Sequence, residues 1–317
     1  MNKTTASSAH MKHITEAEAR KKVSEMNLIN GFLFDSAIEN IDDAKIILGA
    51  ILRTIYNREF NIVEIKNQMS LQALDTGFHG IRFDAHITES SDGSNPIVSI
   101  YDIEMEDRPA DKKYLPKRLR YYGALHDVKK LDSGKNYDNL PDFVSITILS
   151  YDPFDSGDMY YEAKTVLCTH PGIEYKDGLT HIYLYCNGKP NFNSPSSPIK
   201  MSASHSKRLI EMLKYIVSGE KPAITNNDID MIDDIVTKVK HRKEVTTAYM
   251  RQWDRELSIK REEKQNNALK LIRFCRKMGV SDDAIKANLR EDYDYNNDTI
   301  QELFDEIDTE QKISTIN

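Results

Sequence analysis

Cysteine is almost missing from this chain: Cys168, Cys186 and Cys275 stand far apart, with no CxxC pair. That excludes a disulfide-stapled scaffold and a zinc ribbon. It is the pattern of reduced thiols in a cytoplasmic protein. Long apolar runs are missing too. No window approaches the roughly 20 uninterrupted apolar residues of a membrane helix. The first 25 residues are polar, without the apolar core flanked by positive charge that marks a signal peptide. There is no GxxxxGK loop, which argues against a nucleotide-driven motor. Internal repeats and low-complexity tracts are absent. Tryptophan occurs once, at Trp253. Helix packing is its expected use, with stacking on a base as the alternative.

What is present suits a globular protein. The 317 residues are 39% hydrophobic and 29% charged, enough for two domains or one large core with a helical appendix. A net charge of −7 argues against a broad nucleic-acid-binding surface. The sum hides an asymmetry. Residues 238–278 hold 13 Lys/Arg against 5 Asp/Glu, and residues 281–310 hold 11 acidic against 2 basic. The basic stretch is a candidate to track phosphates; a solvated helix with i,i+4 pairs is the alternative.

Periodicity gives the organisation. Residues 1–28 form a loose N-terminus, with a short helix over 15–26. Phe32, Phe34, Ile38, Ile41, Ala44, Ile47, Leu48, Ile51, Leu52 and Ile55 recur at mostly helical spacing. Alternation predicts strands at 60–65, 80–88 and 97–107. Pro116 opens a helix reaching Lys130, with Leu119, Tyr122, Leu125 and Val128 on one stripe. Strands follow at 143–149, 163–168 and 181–186. Beyond a Pro/Ser/Asn-rich boundary at 187–202 the chain reads all helical, over 205–217, 227–240, 244–278, 282–289 and 299–307. This order predicts an α/β core over 29–200 and a helical C-terminal region over 201–317.

The second and third strands carry the chemistry. The turn-rich 90–96 segment makes them antiparallel neighbours. Arg82, Asp84 and His86 share the polar face of one; Asp102, Glu104 and Glu106 share that of the other. Strands about 4.8 Å apart bring such carboxylates into one patch. Carboxylates that close repel unless a cation or a proton relieves them, and a hard divalent ion suits oxygen ligands. Such an ion polarises a scissile phosphate and acidifies a bound water. Arg82, with Lys117, Arg118 and Arg120 on the following helix, would hold phosphates. The bland alternative is a polar face turned to solvent. His86 is read as an ordinary polar-face histidine, with metal ligand or proton shuttle as the alternative.

The run His79-Gly80-Ile81-Arg82-Phe83-Asp84, a loop, then Tyr101-Asp102-Ile103-Glu104-Met105-Glu106 resembles the signature of the PD-(D/E)XK nuclease family transposases, the recombination-promoting nuclease family. Pro116-Lys117-Arg118-Leu119-Arg120-Tyr121-Tyr122 is similar to the family's Arg-rich, Tyr-ending helix, and Asp152-Pro153-Phe154 to a later segment. The likeness spans about residues 29–285. It implies a restriction-endonuclease-like fold, a mixed sheet flanked by helices. It implies DNA cleavage with Mg²⁺ or Mn²⁺, in recombination, mobile-element or defence contexts. Asp84 and Glu104 are the implied metal ligands and, with Glu106, the implied catalytic residues. Arg82, Lys117, Arg118, Arg120 and Tyr122 are the implied substrate contacts. Glu106 departs from the family, which has Gln or Lys there. Lys66 and Lys117 are the candidates to take that Lys role. The alternative is a nuclease-fold DNA-binding or interaction protein with a weakened or lost activity. DNA is the expected partner and a membrane is not. The C-terminal helices are the candidate surface for a homodimer.

Overall fold

Stretches of period two fold as strands, and stretches of period 3.6 as helices, in the computed structural model. It describes residues 13–71, 81–91, 97–131, 134, 136–192, 200–224 and 226–316. Thr15 opens α1 (Glu16–Glu25) with a capping box. The Thr15 hydroxyl donates to Glu18 Oε2 at 2.7 Å, and the Glu18 N–H donates back to the Thr15 hydroxyl at 3.3 Å. The short helix expected over 15–26 is thus present as Glu16–Glu25. Val23 and Leu28 are buried, and the Ile29 N–H donates to Ile216 O at 3.0 Å.

The long helical stretch after it is two helices, α2 (Gly31–Ala37) and α3 (Ile41–Tyr56). Asn40 makes the break. Its side chain accepts from the N–H groups of Asp42 and Asp43, which starts a new helix. Asn57 closes α3 in the left-handed region at φ 53°, which asparagine tolerates.

Six strands form one mixed sheet: β1 (Ile62–Leu71), β2 (Ile81–Ser90), β3 (Ile97–Glu106), β4 (Asp142–Leu149), β5 (Tyr160–Lys164) and β6 (Leu179–Tyr185), in the order β1-β2-β3-β4-β6-β5. β1, β2 and β3 run antiparallel in turn; β3, β4 and β6 are parallel; β5 closes the edge antiparallel to β6. The expected strand at 163–168 lies three residues earlier. Tyr160 is buried against Phe192, whereas Thr165 turns the chain by donating to Asp177 at 2.6 Å.

Parallel strands need a crossover. Between β3 and β4 it is a 3₁₀ turn (Pro109–Tyr114) followed by α4 (Leu115–Lys130). α4 lies on one face of the sheet. Leu115 and Leu119 pack on Leu149 and Tyr183, and Leu125 packs on Ile100 and Phe143. Val128, expected on this stripe, is 53% exposed; His126 is buried in its stead. The opposite face, with Ala85, Ile87, Ile103, Ile146 and Ile182, is mainly apolar and carries α2 and α3.

The C-terminal region is all helical, but its boundary is not at 201. α5 (Ala203–Ser218) and α6 (Asn227–His241) pack on α3, because α3 is apolar on more sides than the sheet alone covers. Arg53 bonds Asp228 at 2.5 Å, Arg242 bonds Asp43 at 3.2 Å, and His205 Nε2 lies 2.9 Å from Thr54 O. One compact unit is therefore Arg20–Val245; the other joins Met1–Ala19 to Thr246–Asn317.

In that second unit α7 (Lys243–Lys277, of which the first turn belongs to the sheet unit), α8 (Asp282–Tyr293) and α9 (Asn297–Ile316) enclose Leu269, Ile272, Ile285, Leu289, Ile300 and Phe304. Arg273 bonds Glu310 at 2.6 Å, and Arg276 bonds Asp308 at 2.5 Å and Asp282 at 2.9 Å. The basic and acidic segments thus partly neutralise each other. Among the described residues no helix is long and apolar enough to cross a membrane.

Ile146 is 0% exposed at the centre of β4. Ile146→Ala is expected to cost about 2–5 kcal/mol. The readout is a lower urea midpoint at unchanged slope. A midpoint equal to the parent's would mean that the central strand is not tightly packed.

Candidate functional site

Strand register brings the expected acidic residues together. His86 stands opposite Asp102 and Ala85 opposite Ile103, so continuing the register sets Asp84 level with Glu104. On the other side of β3, parallel pairing sets Asp102 beside Ser145 and Glu104 beside Thr147. These side chains share the face that α4 covers. The solvent-facing alternative does not hold: Asp102 is 0%, Glu104 6% and Glu106 7% exposed. Asp84 is half-buried at the rim. Arg82 belongs to β2, but its side chain lies outside the described residues, as do His79, Gly80 and residues 92–96 of the hairpin loop.

α4 carries four of the expected substrate contacts, and helical geometry splits them. Arg118 and Tyr122 are four apart, so they share the inward face. Lys117 and Arg120 are exposed and make no ion pair among the described residues. Arg118 Nη2 donates to Glu106 Oε2 at 2.5 Å and reaches Glu104 Oε2 at 3.4 Å. The Arg118 side chain keeps 26% exposure. Tyr151, after β4, closes the same corner, and its buried hydroxyl has no hydrogen-bond partner among the described residues. Lys66 stands opposite His86 and pairs with Glu64 at 3.0 Å, and Lys117 is exposed. Neither candidate lysine bonds the carboxylates.

The electrostatics follow from burial. Glu104 is pushed up to about 8, first by burial and then by Asp84 and Glu106, against the pull of Arg118. Asp102 is held well above the ordinary carboxylate range by burial, Glu104 and Asp84. Neither Asp102 oxygen has a hydrogen-bond partner among the described residues. Tyr122 is raised to about 12, by burial and then by Glu104. His86 is pushed down to about 3, by burial first and then by His126, whose ring lies 5.5 Å away. It is therefore a neutral, buried histidine at physiological pH.

Asp102 stands in the acidic set read from the sequence but not among the implied ligands; His126 was not singled out for chemistry. His126 could have been found as the residue one turn beyond Tyr122. Ser145 and Thr147 could not, because only the parallel pairing of β4 puts them there.

Among the described residues no three His, Cys, Asp or Glu side chains are arranged to hold a metal ion. The donor chemistry nonetheless fits a hard cation. Asp84 and Glu104 offer carboxylate oxygens on adjacent strands, Asp102 is orphaned beside them, and burial, with the charges of Asp84 and Glu106, disfavours ionised Glu104. Mg²⁺ commonly uses one or two carboxylates and takes its other oxygens from water and phosphate.

The raised Glu104 value sets a sign for pH dependence. The folded chain keeps a proton that the unfolded chain releases above the ordinary value of 4.5. Stability is full below that pH, falls as pH climbs toward about 8, and levels off beyond it. The fall is at most about 1.4 kcal/mol per pH unit for one group. Glu104→Gln is expected to flatten this decline in urea unfolding between pH 5 and 8.5. An unchanged slope in the variant would show that Glu104 does not titrate there.

Comparison with protein-family models, with curated proteins and with solved structures gave no match to this chain.

Proposed function

We infer that the chain is a divalent-metal-dependent DNA endonuclease of the PD-(D/E)XK type, acting in recombination, mobile-element or defence contexts, on a restriction-endonuclease-like core. One observation carries the reading: Asp84 and Glu104 meet on adjacent antiparallel strands under a crossover helix that brings an arginine over them. The short sequence motifs that resemble the family supply those same residues.

Asp84 and Glu104 would hold Mg²⁺ or Mn²⁺, which polarises the phosphate and acidifies a water when bound. The chain's own residues do the rest. Arg118 sets a permanent positive charge beside the carboxylates, where a phosphate's negative charge would gather. Lys117 and Arg120, outward on the same helix, would meet the DNA backbone, an interaction that weakens with salt. Tyr122 and Tyr151 restrict water around Glu104 and Glu106. Glu106 is engaged by Arg118, which leaves it poorly placed as a general base.

That last contact favours a second reading, a nuclease-fold DNA-binding or interaction protein whose cleavage is weakened or lost. Plasmid nicking with Mg²⁺ separates the two. The parent is expected to nick supercoiled DNA, and Asp84→Ala and Glu104→Ala to lose at least about a hundredfold in rate, as loss of a charge-stabilising group does. Equal nicking by the variants, or none by the parent at any concentration, overturns the endonuclease reading. Retained gel-shift binding without nicking supports the second.

A further inference from the structure

Two arginine–glutamate contacts in the sheet unit invite comparison, because they are built differently. Arg58 grips Glu89 with both nitrogens of its fork, Nη1 at 2.5 Å and Nη2 at 2.9 Å. Its guanidinium lies 3.7 Å from the Phe60 ring centroid, and Tyr101 adds a hydroxyl bond to Glu89 at 3.0 Å. Both terminal nitrogens and the face of that guanidinium are used, as a bidentate structural pair requires.

Arg118 is not held in this way. One nitrogen, Nη2, makes both of its carboxylate contacts, and Nε is buried with no hydrogen-bond partner. A buried ion pair offsets its desolvation only when the remaining donors are satisfied. Here they are not, so the contact is electrostatic need met by poor geometry. The need is plain, since Asp84, Glu104 and Glu106 all act on the same small volume. The shares are unequal as well: Nη2 is 2.5 Å from Glu106 and 3.4 Å from Glu104. With a quarter of its side chain exposed, Arg118 also has a way out toward solvent.

We propose that Arg118 is a resident counter-cation that competes with a divalent ion for Glu104, and that Glu106 is its dock, drawing the guanidinium aside so that Glu104 can be taken. On this proposal Glu106 is a positioning residue that acts through Arg118. It is neither a metal ligand nor a base. The departure from Gln or Lys at this position then has a purpose, because a negative dock is what a mobile arginine needs. The proposal rests on the metal-site reading, and the test separates failure of one from failure of the other.

The measurement is Mn²⁺ binding to the full chain without DNA, read as free Mn²⁺ by electron paramagnetic resonance. The set is the parent, Asp84→Asn, Arg118→Gln, Arg118→Lys, Glu106→Gln and the Arg118→Gln/Glu106→Gln double variant, each checked for folding by circular dichroism. Asp84→Asn is expected to abolish binding. Arg118→Gln is expected to tighten it about tenfold, because a unit charge within a few ångströms is removed. Arg118→Lys keeps the charge as a compact, strongly hydrated ammonium that is held less firmly beside Glu104. It is expected to tighten binding about threefold, and it decides the matter if Arg118→Gln does not fold. Glu106→Gln is expected to weaken binding in the parent and to have no effect once Arg118 is Gln, the non-additivity expected of residues acting as a pair. Equal weakening by Glu106→Gln in both backgrounds would make Glu106 a direct ligand and overturn the proposal. Binding that needs Asp84 but is unchanged or weakened by both Arg118 variants overturns it too, and leaves the metal reading standing. Absence of Mn²⁺ binding in every variant overturns both.

Discussion

A carboxylate buried beside other carboxylates is unstable unless a cation or a proton relieves it. Asp102, Glu104 and Glu106 lie along one strand face under a helix, and among the described residues the Arg118 guanidinium is the cation bonded to the two glutamates. The remainder is met by protonation, which is why Asp102 and Glu104 are both held above the ordinary carboxylate range. The α4 crossover places Arg118 where this charge is greatest. Topology and electrostatics are thus one constraint, since the helix that makes β3 and β4 parallel is also the helix that supplies the charge.

The same constraint explains why the two sheet faces differ. The face toward α2 and α3 is lined mainly by apolar side chains, and its buried Glu89 is matched by Arg58 and the Tyr101 hydroxyl. The face toward α4 is apolar only at its ends, around Phe143 and Leu125 and around Leu149 and Tyr183. Between these clusters runs a polar strip, with Ser145 and Thr147 beside the acids. An apolar filling of the same volume is often the more stable choice, so the strip costs stability where it stands.

Much of this was legible in the sequence. Alternation located β2, β3, β4 and β6 to within a few residues, and the polar sets at 82–86 and 102–106 named the acids that the sheet brings together. Pro116 marked the start of α4. Other features escaped for physical reasons. Alternation says which residues share a face but not what covers it, so burial of Glu104 and Glu106 could not be read. The stripe on α4 ends two residues away from the buried position, and so points to Val128 and misses His126. The Pro/Ser/Asn-rich segment at 187–202 looked like a domain boundary, yet the apolar stripes of α5 and α6 are used on α3. A loop's composition shows where the chain turns, not which core the next helix joins.

The division of the chain has a consequence for its synthesis. His13 bonds Asp254 at 2.8 Å across 241 residues of sequence. A ribosome adding about 5–20 residues per second therefore leaves the first of these partners waiting on the order of 10–50 s for the second. The sheet unit, continuous from Arg20 to Val245, can be finished within that interval. The order of emergence thus lets the carboxylate strip close before the partner of His13 is made.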